Sequence, residues 1–106
     1  MPIRAKDLLK ATRKIEVEFQ GQTLAVEYRV NAVTPAFFAE VEGWSDKDVL
    51  QRGVCAVVQS WDLLDENDQA LPVTMETTEG LPVEFLRKVQ EAVMADMRGG
   101  DEEKKV

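Results

Sequence analysis

Four carboxylates, Asp62, Asp65, Glu66 and Asp68, fall within seven residues of the stretch WDLLDENDQALPVT, Trp61 to Thr74. Oxygen ligands at this density have two chemical uses. They can hold calcium, or they can place a catalytic divalent ion in a hydrolase built only from carboxylates, with Asp62, Asp65, Asp68 and Glu76 as its ligands. A twelve-residue calcium loop counted from Asp65 puts Asn67 third, Gln69 fifth and Glu76 twelfth. The count fails at the sixth place, where Ala70 stands in for the glycine that makes the sharp turn. Pro72, at the eighth place, has no N–H to pair with a second loop. A wet connection explains the composition better. Asn67 and Asp68 are turn formers, and Trp61, Leu63, Leu64 and Leu71 are suited to tie the segment to a core. Trp61 has a second reading, as an aromatic facing a partner.

Other catalytic chemistry is scarce. The chain has no histidine, which removes the commonest general base and every Ser-His or Cys-His nucleophile. Its one tyrosine, Tyr28, falls in an alternating, strand-like segment. Cys55 is the single cysteine, so no internal disulfide forms. With Val54, Ala56, Val57 and Val58 around it and nothing basic adjoining, it reads as a small core hydrophobe rather than a reactive thiol. The expectation is no enzyme, no cofactor and no metal.

Charge is unevenly spread. Residues 1–14 carry five basic side chains against Asp7 alone, a net +4, whereas the other 92 residues carry 8 basic and 19 acidic ones, a net −11. An acidic body repels nucleic acid. A protein that imitates nucleic acid to block a host DNA-binding enzyme is the rival from another class. It requires carboxylates in rows at phosphate-like spacing, and here they are dispersed between apolar positions. No apolar run approaches the roughly 18 residues of a membrane span, and the N-terminus lacks the apolar stretch of a signal peptide. We therefore expect no membrane partner. The chain reads as a basic leader (1–14), one domain (15–98) and a charged, disordered tail (99–106).

These residues must be positioned by a few elements. From Lys14 to Val30 apolar and polar residues alternate on both sides of Gln20-Gly21, which predicts a β-hairpin with one wet face. Turning at Gln20-Gly21 sets Val17 opposite Leu24, Ile15 opposite Val26 and Lys14 opposite Glu27. A turn one residue later opposes Glu16 to Glu27 and Lys14 to Arg29, two repulsive pairs. Thr34-Pro35 starts a short helix that Gly43 stops. The capping-box spacing Ser45 to Asp48 opens a second, running to about Ser60, with Val49, Leu50, Val54, Val57, Val58 and Trp61 on its apolar stripe. A last helix starts at Leu81-Pro82, carries Phe85, Leu86, Val89, Val93 and Met97 on one face, and ends at Gly99-Gly100. The fold class is α+β, an N-terminal antiparallel β-hairpin packed against three to four α-helices.

From Ala56 to Val93, "AVVQSWDLLDENDQALPVTMETTEGLPVEFLRKVQEAV", the chain resembles the tail assembly chaperones of long-tailed bacteriophages. The shared elements are an apolar helix ending in Trp61-Asp62, the acidic turn Asp65 to Asp68, Leu71-Pro72, a short Thr-started helical turn from Thr74 to Gly80, Leu81-Pro82, and the amphipathic helix Val83 to Met97. The preceding hairpin and the helix at Thr34-Pro35 fit the same layout. The resemblance implies a protein that binds and solubilises the tape measure protein and recruits tail tube subunits. It implies self-association, action in the cytoplasm of the infected host and absence from the mature virion. It also implies a longer frameshifted form; Glu103-Lys104-Lys105 require purine-rich codons, which fit a slippery run.

A binder needs apolar surface for its client and net charge for its own solubility. The candidate partner-binding residues are Phe37, Phe38, Val41 and Trp44, on a helix too short to bury all of them, together with Trp61, Phe85 and Val89. Two strands alone do not hold an independent sheet, so the apolar hairpin face must meet helices or another subunit's strand.

Overall fold

The computed structural model describes residues 2 and 4–105, and side-chain environments for 2 and 4–98. The elements run α1 (Ala5–Lys10), β1 (Thr12–Phe19), β2 (Gln22–Arg29), α2 (Pro35–Val41), α3 (Asp46–Val57), β3 (Val58–Trp61), α4 (Met75–Glu79) and α5 (Val83–Lys105). This is an α+β fold with the expected hairpin, against which α5 packs; α5 also packs on α3.

The hairpin takes the register that the charges favour: Val17 faces Leu24, Ile15 faces Val26 and Lys14 faces Glu27. Gln20 and Gly21 have φ of 52° and 83°, the left-handed pair that a two-residue hairpin turn requires. Glutamine there costs about 1 kcal/mol. Cross-strand pairs of about 0.2–1 kcal/mol each offset it.

The helix expected to reach Ser60 stops at Val57, and Val58–Trp61 forms a third strand beside β2, giving the order β1-β2-β3. A register shift between Glu27 and Tyr28 turns Val58 and Trp61 both inward while Gln59 and Ser60 stay exposed. Two inward residues three apart have the spacing of a helix face. β2 is thereby the central strand. Its next residue outward, Ala25, gives its N–H to Asp62 Oδ1 at 2.8 Å and accepts the Asp62 N–H at 3.1 Å.

Helix starts follow local chemistry. Thr34 Oγ1 accepts from the Phe37 N–H at 3.1 Å, Ser45 Oγ from Asp48 at 3.2 Å and Thr74 Oγ1 from Thr77 at 3.2 Å. Each satisfies an N–H that the first helical turn leaves without a partner. The stop expected at Gly99-Gly100 is passed, because α5 continues to Lys105. Each glycine costs about 1 kcal/mol in a helix interior, but no proline follows and the next residues, Asp101 to Lys105, are mostly good helix formers. The basic leader is partly helical: α1 buries no residue and is held by Asn31 Nδ2, which donates to the Leu8 carbonyl at 2.8 Å.

Sheet and helices close one core. Val17, Leu24, Val26 and Tyr28 meet Val54, Val58 and Trp61, and then Phe85, Leu86, Val89 and Val93 of α5. The polar groups inside it are partnered. Gln51 Nε2 donates to Thr78 Oγ1 at 3.2 Å and to Glu79 Oε1 at 3.0 Å, which ties α3 to α4. The Gln51 bond, reinforced by the Lys47 ammonium, lowers the Glu79 pKa.

Fully buried Tyr28 donates to Asp96 Oδ2, which also accepts from Arg13 Nη1 at 3.0 Å. Burial first, and then the Asp96 carboxylate, push the phenol from 10 up to about 12. An acid whose folded pKa is raised holds its proton more tightly when folded, so its stabilisation is complete below pH 10 and is lost as pH rises through about 12. The melting temperature is expected to fall more steeply between pH 10 and 12 in the parent than in Tyr28→Phe. Equal slopes in thermal melts by circular dichroism would refute this.

Candidate functional site

Seven residues make α2 too short to bury its own aromatic side chains, and none of them is buried. The Thr34 cap and Pro35 fix where the helix starts. Past its end the Gly43 N–H donates to the Glu40 carbonyl and the Trp44 N–H to the Val41 carbonyl, at 3.1 and 3.0 Å. These bonds curl Trp44 back toward Phe37, whose ring meets it edge-on at 5.7 Å and 88°. The Arg52 guanidinium lies 5.7 Å from the centre of the Trp44 ring, a cation–π contact from α3 that steadies this corner.

Between α2, α3 and α5 lies a groove of about 350 Å³. Buried Val54, Val58 and Val93 form its floor, with half-buried Val57 and Met97 beside them. Its rim includes Phe38, Met94 and Val33, which are 63%, 49% and 41% exposed. Among the lining residues only Gln90 and Arg98 are polar. Gln90 is engaged: its Nε2 donates to the Val49 carbonyl at 2.9 Å. It does so across Gly53, where a Cβ would stand 2.6 Å from that nitrogen. Glycine at this position lets α5 reach the α3 backbone.

Of the residues singled out by sequence, Phe37, Phe38, Val41 and Trp44 are brought together on this groove. Trp61, Phe85 and Val89 are not on it. They are 8%, 7% and 0% exposed and belong to the core, so the partner-facing role expected of them is corrected to a packing role. Trp61 Nε1–H is satisfied by the Leu71 carbonyl at 2.9 Å, and its ring lies 6.1 Å from that of Phe85. The groove also uses Val33, Val57, Met94 and Met97, which sequence reading did not assign to a binding surface. No local signal marks them, because the groove exists only once three helices converge.

The acidic segment is a turn. Asp65 Oδ1 accepts from the N–H groups of Asn67 and Gln69 at 2.8 and 2.9 Å, and Asp68 takes φ of 62°, a conformation that Asp and Asn tolerate. Leu64 and Ala70 bridge across it. Asp62 and Asp65 are thus aimed at backbone amides, an arrangement different from a row of free carboxylates. Among the described residues no group of three or more His, Cys, Asp or Glu is placed to hold a metal ion. Cys55 is half-buried, and burial pushes its thiol pKa up, which disfavours the nucleophilic thiolate.

Among the described residues no helix is long and apolar enough to cross a membrane. Comparison with protein-family models, curated proteins and solved structures finds no match to this chain.

Proposed function

We propose that this chain is a tail assembly chaperone of a long-tailed bacteriophage, which seats apolar helical segments of the tape measure protein in the groove between α2, α3 and α5 and brings tail tube subunits to them. The observation that carries the reading is the groove itself. It joins a lining that is apolar except for Gln90 and Arg98 to an exposed Phe38 and Met94, in a chain whose net charge is −7. Apolar surface captures a client and surplus charge keeps the complex dissolved. Met94 at the rim and Met97 beside the floor adapt to varied side chains. The sequence layout from Asp65 to Val93, with its acidic turn, Thr-capped short helix and final amphipathic helix, fits the same reading, whereas the helix expected to end at Trp61-Asp62 gives way to β3. On it, the protein acts in the cytoplasm of the infected host and leaves before the particle is complete.

The size of the groove bounds the strength of one contact. An amphipathic helix inserts anchors at i, i+3 or i+4, and i+7, and three leucines at about 1.5–3 kcal/mol each give roughly 5–9 kcal/mol before any cost. Association costs about 4–15 kcal/mol or more. One groove on one helix is therefore a weak complex, and a long client coated by many copies gains from avidity.

Co-expression with the tape measure and tail tube proteins of a long-tailed phage that carries this chain tests the function. The tape measure protein is expected in the soluble fraction and to co-purify only when this chain is present. Recovery that does not depend on the chain, or no co-purification, overturns the reading.

A further inference from the structure

The outer edge of β1 is open and its charges complement themselves. Ala25 directs both its N–H and its carbonyl to Asp62, away from β1. Its opposite residue on β1 is Glu16. Opposed residues of an antiparallel pair either exchange both backbone bonds or neither, so the backbone groups of Glu16 point away from β2. The same alternation turns those of Lys14 and Glu18 outward. They sit on an eight-residue strand without proline, and among the described residues no backbone or side-chain hydrogen bond reaches them. The side chains of Lys14, Glu16 and Glu18 are exposed, and none makes an ion pair. A regular strand with free donors and acceptors is a template for another strand.

We propose that this edge pairs with the β1 edge of a second copy, antiparallel about a two-fold axis at Ile15, so that Lys14 of each copy stands opposite Glu16 of the other. Keeping both apolar faces on one side allows only slips of whole residue pairs. An axis at Lys14 opposes that lysine to itself, an axis at Glu16 opposes that glutamate to itself, and an axis at Val17 sets Glu16 against Glu18 twice. Of the four axes that pair five or more residues of each β1 strand, only the one at Ile15 opposes no like charges. It joins two copies into a six-stranded sheet with both apolar faces on the same side. No β1 residue lines the apolar groove, so both grooves stay open and the inference does not rest on the proposed client.

Charge reversal in the full chain tests the register. Sedimentation equilibrium is expected to show a dimer for the parent. Lys14→Glu alone and Glu16→Lys alone are each expected to weaken it roughly tenfold or more. A one-to-one mixture of the two variants restores it, because both mixed pairs are then Lys against Glu. Hydrogen exchange supplies a measurement on the unaltered chain, in which the Lys14, Glu16 and Glu18 amides slow as concentration rises. A parent that stays monomeric at high micromolar concentration, single variants that dimerise like the parent, a mixture that does not recover, or edge amides indifferent to concentration each overturn the proposal.

Discussion

Phe38→Asp is expected to abolish the capture of the tape measure protein proposed for the groove while leaving the domain folded. Phe38 is 63% exposed on the rim of the groove, so its replacement removes little core packing. Exposed substitutions usually change stability by less than about 0.5 kcal/mol, a shift of roughly 2–4 °C in a domain of this size. In the proposed complex the same position faces an apolar client. A carboxylate stripped of water there without a partner costs several kcal/mol, which is at least a hundredfold in affinity. Phe38→Met keeps an adaptable apolar side chain and is expected to retain capture. Pull-down from co-expression, paired with a thermal melt, reads both quantities. A Phe38→Asp protein that unfolds, or one that still recovers the client, would count against the groove as the capture surface.

Local physics was readable wherever two independent signals agreed. The hairpin register follows from apolar alternation together with the pairing of Lys14 with Glu27, and the structure adopts it at the expense of a left-handed Gln20. Thr34 and Ser45 announced helix starts because a side-chain oxygen three residues before a free N–H is a local geometry. β3 was hidden for the opposite reason. Its register shift erased the alternation that marks strands, so Val54, Val57, Val58 and Trp61 read as one helical stripe. The candidate site was half legible. Phe37, Phe38, Val41 and Trp44 stood out as more aromatic and apolar surface than a short helix can bury. Trp61, Phe85 and Val89 carry the same apolar signature, and only the closing of α5 over the sheet decides that they lie inside.

Trp61→Ala is expected to be the most destabilising of the substitutions considered. The indole is 8% exposed, packs against Phe85 at the end of β3, and donates to the Leu71 carbonyl at 2.9 Å. That last bond holds the segment after the acidic turn against the sheet. Truncating a buried tryptophan costs about 3–5 kcal/mol in lost transfer and cavity formation. Losing the hydrogen bond adds about 1 kcal/mol. Whole-domain stability is typically about 5–15 kcal/mol, so Trp61→Ala should lower the melting temperature by roughly 15–45 °C or leave the chain unfolded at room temperature. Trp61→Phe refills most of the volume but supplies no N–H, and its cost should be roughly 1–2 kcal/mol. The order parent, Trp61→Phe, Trp61→Ala in urea midpoints separates the packing role from a partner-facing one. A tryptophan serving a partner would leave all three midpoints together and reduce capture instead.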